Sequence, residues 1–379
     1  MLPAEDDDVT SPSVDVVIAV HSPDRPVERA VGSVLLHTTA SVRVTVVVHN
    51  TDAAPVVARL SGFVGKAGLR ILELHDGIAS PAGPFNLGLD HATAPFTSVL
   101  GSDDEFEPGA IDAWLAVANS DSADVVIACL RHAGGSPVPT PPTRPFRQSS
   151  LDPVKDRLSY RSAPLGLVSR AAFGELRFAE GLPSGEDLPY VSRLWFSGRR
   201  ISSARSAPAY RLHDDSGDRV TFATRSIAEE FAYLPSTIGS SWFRALPAPS
   251  QSALVAKFLR IHLFGAVSNR PDPALWATPD REELAEIARL LLSSGHGIEE
   301  VLSRADRDLL DAILDPSSCA RTLGSLAIRR RRRLAVASLF PRRLTRLLHA
   351  EAPLRFSAAS ALANIALPRR AYPDALEFR

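Results

Sequence analysis

The groups in this chain that could do chemistry gather where apolar runs end. Phe96-Thr97-Ser98-Val99-Leu100 leads into Gly101-Ser102-Asp103-Asp104-Glu105-Phe106, so two adjacent acids stand just past a strand-like segment. Paired carboxylates there concentrate negative charge that a cation or a set of donors must answer. Hard divalent ions such as Mg²⁺ and Mn²⁺ take carboxylate oxygens and commonly share their coordination with substrate phosphates. The same acids would equally cap a helix beginning near Pro108, where negative charge complements the helix dipole. His21 follows another apolar run and His49-Asn50 a third.

The elements that must position these groups are legible in the same pattern. Val14–Val20, Val42–Val48, Leu69–Leu74, Thr97–Leu100 and Asp124–Leu130 are short apolar, often β-branched runs suited to strands buried on both faces. Between them, Pro26–His37, Pro55–Leu60, Asn86–Ala92 and Ala110–Ala118 carry helical spacing, with Pro26 suited to a first turn. The alternation predicts right-handed crossovers and an α/β fold: a mostly parallel sheet covered on both faces. Ligands of such sheets bind beyond the carboxyl ends of the strands, so His21, His49-Asn50 and Asp103-Asp104 would converge on one crevice.

Residues 131–160 change character, because Gly134, Gly135 and Pro137, Pro139, Pro141, Pro142 and Pro145 preclude regular structure. Order resumes over Ala163–Phe173. Gly185-Glu186-Asp187 opens a helix running through Trp195, and Ile201–Tyr210 reads as a further strand. From about residue 225 strand signals stop, and Ala253–Val267, Glu282–Leu292 and Ile298–Leu314 are helical by pattern. We therefore expect a disordered acidic tail over 1–13, an α/β domain over 14–220 and a helical region over 221–379, with no internal repeat.

With 379 residues and 45% hydrophobic residues the chain is long enough for two units and a substantial core. A net charge of −1 argues against a nucleic-acid binder, although acids cluster at Glu5 to Asp8 and arginines near the other end. Two cysteines, Cys129 and Cys319, far apart, imply neither a disulfide framework nor a thiolate metal site and suit a reducing cytoplasm. No signal segment stands at the start, and no run of about twenty apolar residues predicts a membrane span.

Taken in order, these motifs make residues 14–220 resemble the family 2 glycosyltransferases of the A-type, Rossmann-like nucleotide-sugar fold. The opening strand, polar turn and helix are Val17-Ile18-Ala19-Val20-His21-Ser22 and Ser33-Val34-Leu35-Leu36-His37-Thr38. Val46-Val47-Val48-His49-Asn50-Thr51 stands at the family's second turn, and Asn86-Leu87-Gly88 matches its Asn-x-Gly helix. Ser102-Asp103-Asp104 with Phe106 and Pro108-Gly109 matches its aspartate motif. Glu186-Asp187, with Arg193-Leu194-Trp195 and Gly198 after it, matches the late acid pair, and Tyr210-Arg211-Leu212-His213 with Ser216 the closing element.

The resemblance implies a metal-dependent, inverting transfer of a sugar from a nucleotide diphosphate, most simply a UDP-sugar, to a glycan or lipid-linked glycan acceptor in cell-surface polysaccharide synthesis. In that scheme Asp103 and Asp104 hold Mn²⁺ or Mg²⁺, which neutralises the departing diphosphate. His213 approaches the same metal or stands as an ordinary surface histidine beside Asp214 and Asp215. Asp187 is the general base and Glu186 a neighbouring acceptor contact, or both complement a helix N-terminus. His21 would stack on the nucleotide base and Asn50 would read it.

The chain departs from the family at Asn50, where an aspartate is usual, at Gly101, the first place of the Asp-x-Asp pattern, and at Phe85, where an arginine could contact the diphosphate. Those departures leave a second reading, a catalytically degenerate member that binds glycan or nucleotide. A nucleotidyltransferase is disfavoured for want of a lysine- and glycine-rich triphosphate loop. In the basic region, Arg329–Arg333 with Leu334, Val336, Leu339 and Phe340, then Arg342, Arg343 and Arg346, suit a helix lying on an anionic membrane at the inner face of the cell. They suit equally a solvated arginine face on a helix pair. The helical extension could also pair copies of the chain.

Overall fold

The computed structural model describes residues 11–66, 68–138, 143–144, 146–214, 225–277, 279–332 and 334–365. The acidic residues of the expected tail, Pro139, Pro141, Pro142 and Pro145 of the 131–160 segment, Asp215, Ser216 and Arg333 lie outside these residues. Strands β1 (Val14–Val20), β2 (Val42–His49), β3 (Leu69–Leu74) and β4 (Phe96–Gly101) alternate with helices α1 (Val27–Leu35), α2 (Ala53–Arg59) and α3 (Ala82–Asp90). Then come β5 (Glu105–Phe106), α4 (Ala110–Asp121), β6 (Val125–Ala128), β7 (Leu130–His132), β8 (Gly166–Ser169), α5 (Arg170–Phe173), α6 (Asp187–Trp195), β9 (Ile201–Ala204) and β10 (Tyr210–Leu212).

A seven-stranded sheet runs β3-β2-β1-β4-β8-β6-β9, and a small sheet runs β5-β10-β7. In the large sheet β8 alone is antiparallel to its neighbours. The sequence of β1 accounts for its central place: Val16 and Ile18 enter one buried cluster with α1 and α4, while Val17 enters the other. A strand with no polar face must be covered twice. The register Val14↔Val42 and Val14↔Phe96 brings His21, His49 and Gly101 out at the same edge.

Helices follow: α7 (Ile227–Glu230), α8 (Tyr233–Ile238), α9 (Ser241–Ala245) and α10 (Ala248–Lys257), then a π-helical segment over Phe258–Leu263. After it come α11 (Phe264–Ser268), α12 (Asp280–Ser294), α13 (Arg304–Leu314), α14 (Ala320–Arg330), α15 (Val336–Leu339) and α16 (Pro353–Ile365). One buried cluster passes from Val17 and Val47 of the sheet to Leu254, Phe258 and Leu309, so the helices share a core with the α/β part. Among the described residues no helix is long and apolar enough to cross a membrane.

Four expectations are corrected. Ile201–Tyr210 is two strands in different sheets, parted by the turn before Pro208. Asp124–Leu130 breaks at Cys129, and Leu130–His132 of the irregular segment pairs with β10. Ile298–Leu314 is interrupted at Val301–Ser303, where the Ser303 side chain caps α13. The basic stretch is no single amphipathic helix. It divides between the end of α14, α15 and the turn at Leu344–Arg346, and Arg330, Arg342, Arg343 and Arg346 pair with Asp306, Asp308, Asp311 and Glu300.

Candidate active site

A cleft of 1210 Å³ opens at the carboxyl ends of β1, β2 and β3. His21 and Asn50 line it on the sheet side, Glu186 and Asp187 face them from the start of α6, and Tyr233 and His262 close it from the helical region. Of the three groups expected to converge, His21 and His49-Asn50 line this cleft, whereas Asp103 and Asp104 are not among its lining residues, because they turn to internal partners. The sequence did not anticipate the third wall.

Glu186 and Asp187 make no ion pair within 4 Å among the described residues. Burial pushes the Asp187 carboxyl well above the ordinary carboxylate range, the Glu186 charge adds to that rise, and Lys257 opposes it. Burial also raises Glu186. A desolvated carboxylate without a direct counter-ion can take up a proton near neutral pH, which is what a general base does. The pair is held from behind. Asn86 donates to the Phe178 carbonyl at 3.0 Å and accepts from the Phe178 N–H at 2.8 Å, and Ala179 N–H donates to the Glu186 carbonyl at 3.0 Å. Gly185 sits at φ +73°, and a side-chain carbon there would meet Tyr233 Cδ1 at 2.7 Å. Gly88 is as constrained, since an added carbon would lie 2.2 Å from Val17 Cγ1. The Asn-x-Gly element is thus a packing and docking device.

The other acid pair is engaged differently. Asp104 is buried; Tyr210 Oη donates to its Oδ2 at 2.7 Å and the His213 N–H to its Oδ1 at 3.0 Å. The same Tyr210 oxygen accepts from the Gly101 N–H at 2.9 Å. A side-chain carbon at Gly101 would meet Asp104 Oδ2 at 2.7 Å, so the glycine lets that carboxylate fold inward. Asp103 pairs with Arg25, Arg29 donates to its carbonyl, and the His213 imidazole lies 3.1 Å from Glu105 Oε1. Among the described residues no group of three His, Cys, Asp or Glu is arranged to hold a metal. Asp103, Asp104 and His213 as they stand do not fit an ion, because each already has an internal partner.

Asn50 lines the cleft at φ +53°, but its amide is spent on the turn after β3. Its Nδ2 donates to Asp76 Oδ1 at 3.1 Å and to the Ile78 carbonyl at 3.2 Å, and its Oδ1 accepts from Gly77 N–H at 3.0 Å. Asp76 is the residue the sequence reading passed over. It takes His49 Nε2 at 2.8 Å and the Ile78 N–H at 2.9 Å, and that N–H, first among its partners, holds its carboxyl down to about 2. Its signal was available: an acid followed by Gly77 directly after a parallel strand.

Residues 15–177 match the model of glycosyl transferase family 2. That segment is a family 2 glycosyltransferase domain by its match. No protein of curated function matches the sequence. The glycosyltransferase resembles residues 1–349 of S. aureus TarS solved with UDP-GlcNAc, with a TM-score of 0.70 and 15% identity over 84% of this chain and 91% of that one. The same portion with UDP gives a TM-score of 0.66 at 16% identity, again over 84% and 91%. A TarS structure of greater length gives 0.63 at 15%, over 83% of this chain and 55% of that one. At such identities the likeness is one of fold: the A-type, mostly parallel sheet with a helical region behind it.

Proposed function

We propose that this glycosyltransferase moves a sugar from a UDP-sugar to a hydroxyl of a glycan or lipid-linked glycan by an inverting single displacement, with Asp187 as general base. One observation carries the reading: an acid with a raised carboxyl, without an ion pair among the described residues, faces the cleft opposite the strand ends. Asp187 takes the acceptor proton as the acceptor oxygen bonds to the anomeric carbon. The bond from that carbon to the diphosphate oxygen breaks on the opposite face, and its electron pair leaves with UDP. Glu186 touches the acceptor. His21 stacks on the base, and the Asn50–Asp76 turn shapes the floor beneath it. Arg225, which lines the cleft, answers part of the charge on the leaving diphosphate. Donor choice is supported by the TarS structures, which hold UDP and UDP-GlcNAc.

A metal-assisted form, with Mn²⁺ or Mg²⁺ on Asp103, Asp104 and His213, has a stated requirement. Asp103 must first exchange Arg25 for the ion. Calorimetry with UDP-GlcNAc, with and without Mn²⁺, tests this: equal affinity in both leaves Asp103 on Arg25. The division into a catalytic part over 14–220 and a helical part over 221–379, contact with an anionic membrane through the exposed Leu334, Leu344 and Leu348, and pairing of copies belong to the same proposal. A second reading, a binding module without turnover, is favoured by the internal engagement of Asp104. UDP binding with no UDP release from UDP-GlcNAc, with water or glycan as acceptor, would select it.

A further inference from the structure

The third wall of the cleft holds two polar atoms that no described residue answers. Tyr233, the first residue of α8, is 1% exposed, and its hydroxyl has no hydrogen-bond partner among the described residues. The same holds for the buried Nε2 of His262, in the π-helical segment. The two rings meet edge to face with centroids 5.8 Å apart, and both residues line the cleft together with Glu186 and Asp187. Contact fixes their place beside the acid pair. A side-chain carbon on Gly185, the residue ahead of the pair, would stand 2.7 Å from Tyr233 Cδ1 and 3.1 Å from its Cε1, so the ring lies against the turn that presents the acids. A buried hydroxyl and a buried ring nitrogen left unpaired both cost stability, and such groups in a cleft call for a ligand that answers them.

This wall is held from behind and open in front. Arg260, two positions before His262, donates to the Tyr160 hydroxyl at 2.9 Å, to Glu351 Oε2 at 3.0 Å and to the Glu351 carbonyl at 2.7 Å. Arg330 donates to the Arg260 carbonyl at 2.9 Å. These bonds fix the π segment, a geometry that recurs at functional sites. Gly265, three positions past His262, also lines the cleft, and an added side-chain carbon there would have nothing within 4 Å. Open room therefore adjoins the imidazole. Burial, and after it the charge of Lys257, drives that imidazole down to about 3, while burial raises the Tyr233 hydroxyl well above its ordinary value. At neutral pH the pair is one phenol and one uncharged imidazole, which can donate and accept but carry no charge.

We propose that Tyr233 and His262 form the subsite for the sugar ring of the nucleotide-sugar donor, with one ring hydroxyl bonded by Tyr233 Oη and His262 Nε2. The proposal rests on the UDP-sugar reading above. A sugar hydroxyl both donates and accepts, so it answers both atoms at once, and an uncharged pair suits an uncharged ring better than a phosphate. The donor sugar is the occupant rather than the acceptor. It hangs from the diphosphate by one bond and can end in an enclosed corner, whereas a glycan chain must run on to solvent. It must also lie beside Glu186 and Asp187, because the acceptor oxygen attacks its anomeric carbon there. The helical region thus selects the hexose that the sheet side, which holds the nucleotide, cannot read.

Calorimetry on the full chain tests this with UDP, UDP-GlcNAc, UDP-glucose and UDP-galactose, the UDP-hexose that wild type binds most tightly serving as the probe. Tyr233→Phe and His262→Leu should each weaken that UDP-hexose by about tenfold or more, with UDP affinity kept within about twofold. His262→Gln, which keeps a polar atom near the Nε2 position, should regain most of the loss. Gly265→Leu, which fills the open room, should likewise weaken the UDP-hexose and spare UDP. Tyr233→Phe should melt no lower than wild type, because its hydroxyl has no partner in the protein among the described residues. Unchanged UDP-hexose affinity in both Tyr233→Phe and His262→Leu overturns the subsite and leaves a buried water as the partner of the pair. Equal loss of UDP and UDP-hexose affinity marks a structural role and overturns it too. Should His262→Leu not fold, Tyr233→Phe and Gly265→Leu decide by the same outcomes. A wild-type chain that binds neither UDP nor any UDP-hexose overturns instead the UDP-sugar reading on which the subsite rests.

Discussion

Two pairs of adjacent acids meet opposite fates in this molecule. Asp103-Asp104 follows β4 and is consumed by internal partners: Arg25 for the first acid, Tyr210 and the His213 amide for the second. Glu186-Asp187 opens α6 and, among the described residues, has no ion pair at contact distance, and it faces a cleft. A carboxylate whose oxygens already accept hydrogen bonds is a tie that holds two strands together. One that is desolvated, held by backbone N–H groups alone and without a direct counter-ion is held ready to exchange a proton. The neighbours, not the residue type, decide which it becomes.

The largest effect separates the pairs by what each mutation spares. Asp187→Asn should cut turnover by roughly 10²–10⁴-fold while UDP-GlcNAc affinity measured by calorimetry stays within a few-fold. Equal loss of donor affinity would place Asp187 on the donor side and dissolve the contrast. Asp104→Ala should act on the fold instead. Leaving the Tyr210 hydroxyl and His213 amide unanswered in a buried place should lower stability by about 1–3 kcal/mol in chemical denaturation.

Glycines sharpen the comparison. Gly185→Ala puts a side chain at φ +73° and 2.7 Å from Tyr233, so it should displace the acid pair and lower turnover about tenfold or more. Gly101→Ala meets Asp104 Oδ2 at 2.7 Å and should reduce the melting temperature with turnover nearly kept. Reversal of that order would mean that the Asp103-Asp104 site carries the chemistry.

The pH dependences also part. Asp187 is raised, so it is protonated below its midpoint, and turnover should climb with pH through a limb above the ordinary carboxylate range. Stability runs the other way for this group. The folded chain binds its proton more tightly than the unfolded one, so its contribution falls as pH rises from the ordinary carboxylate value to the raised one. Asp187→Asn should therefore melt higher than wild type at neutral pH and no higher in acid. Asp76, held down to about 2, contributes stability above the ordinary carboxylate range that is lost as pH falls toward 2, the smallest effect here. Melting curves of wild type and Asp76→Asn converging below pH 4 would confirm its sign.

Much of the sheet was readable from its apolar runs: Val14–Val20, buried on both faces, and Leu69–Leu74 occur with the expected ends. Leu69–Leu74 is nonetheless a half-exposed edge strand rather than one buried on both faces. The Glu186-Asp187 pair was readable because glycine and two acids before an apolar period announce a helix start. Other features were not. Nothing local in Ile201–Tyr210 says that its two halves enter different sheets, since that depends on which edges β6 and β7 leave open. Nothing local in Asn50 says that its amide will be taken by Asp76, a partner 26 positions away.

The sequence by itself determined the alternation of strands and helices, the crevice at the strand ends and the likeness of residues 15–177 to glycosyl transferase family 2. Those follow from periodicity and from motifs read within a few residues. Only the tertiary structure decided which acids are ties and which face the cleft, and that the basic stretch is divided and paired with acids. Burial and the field of distant charges set those outcomes, and neither is a property of a residue until the chain has folded around it.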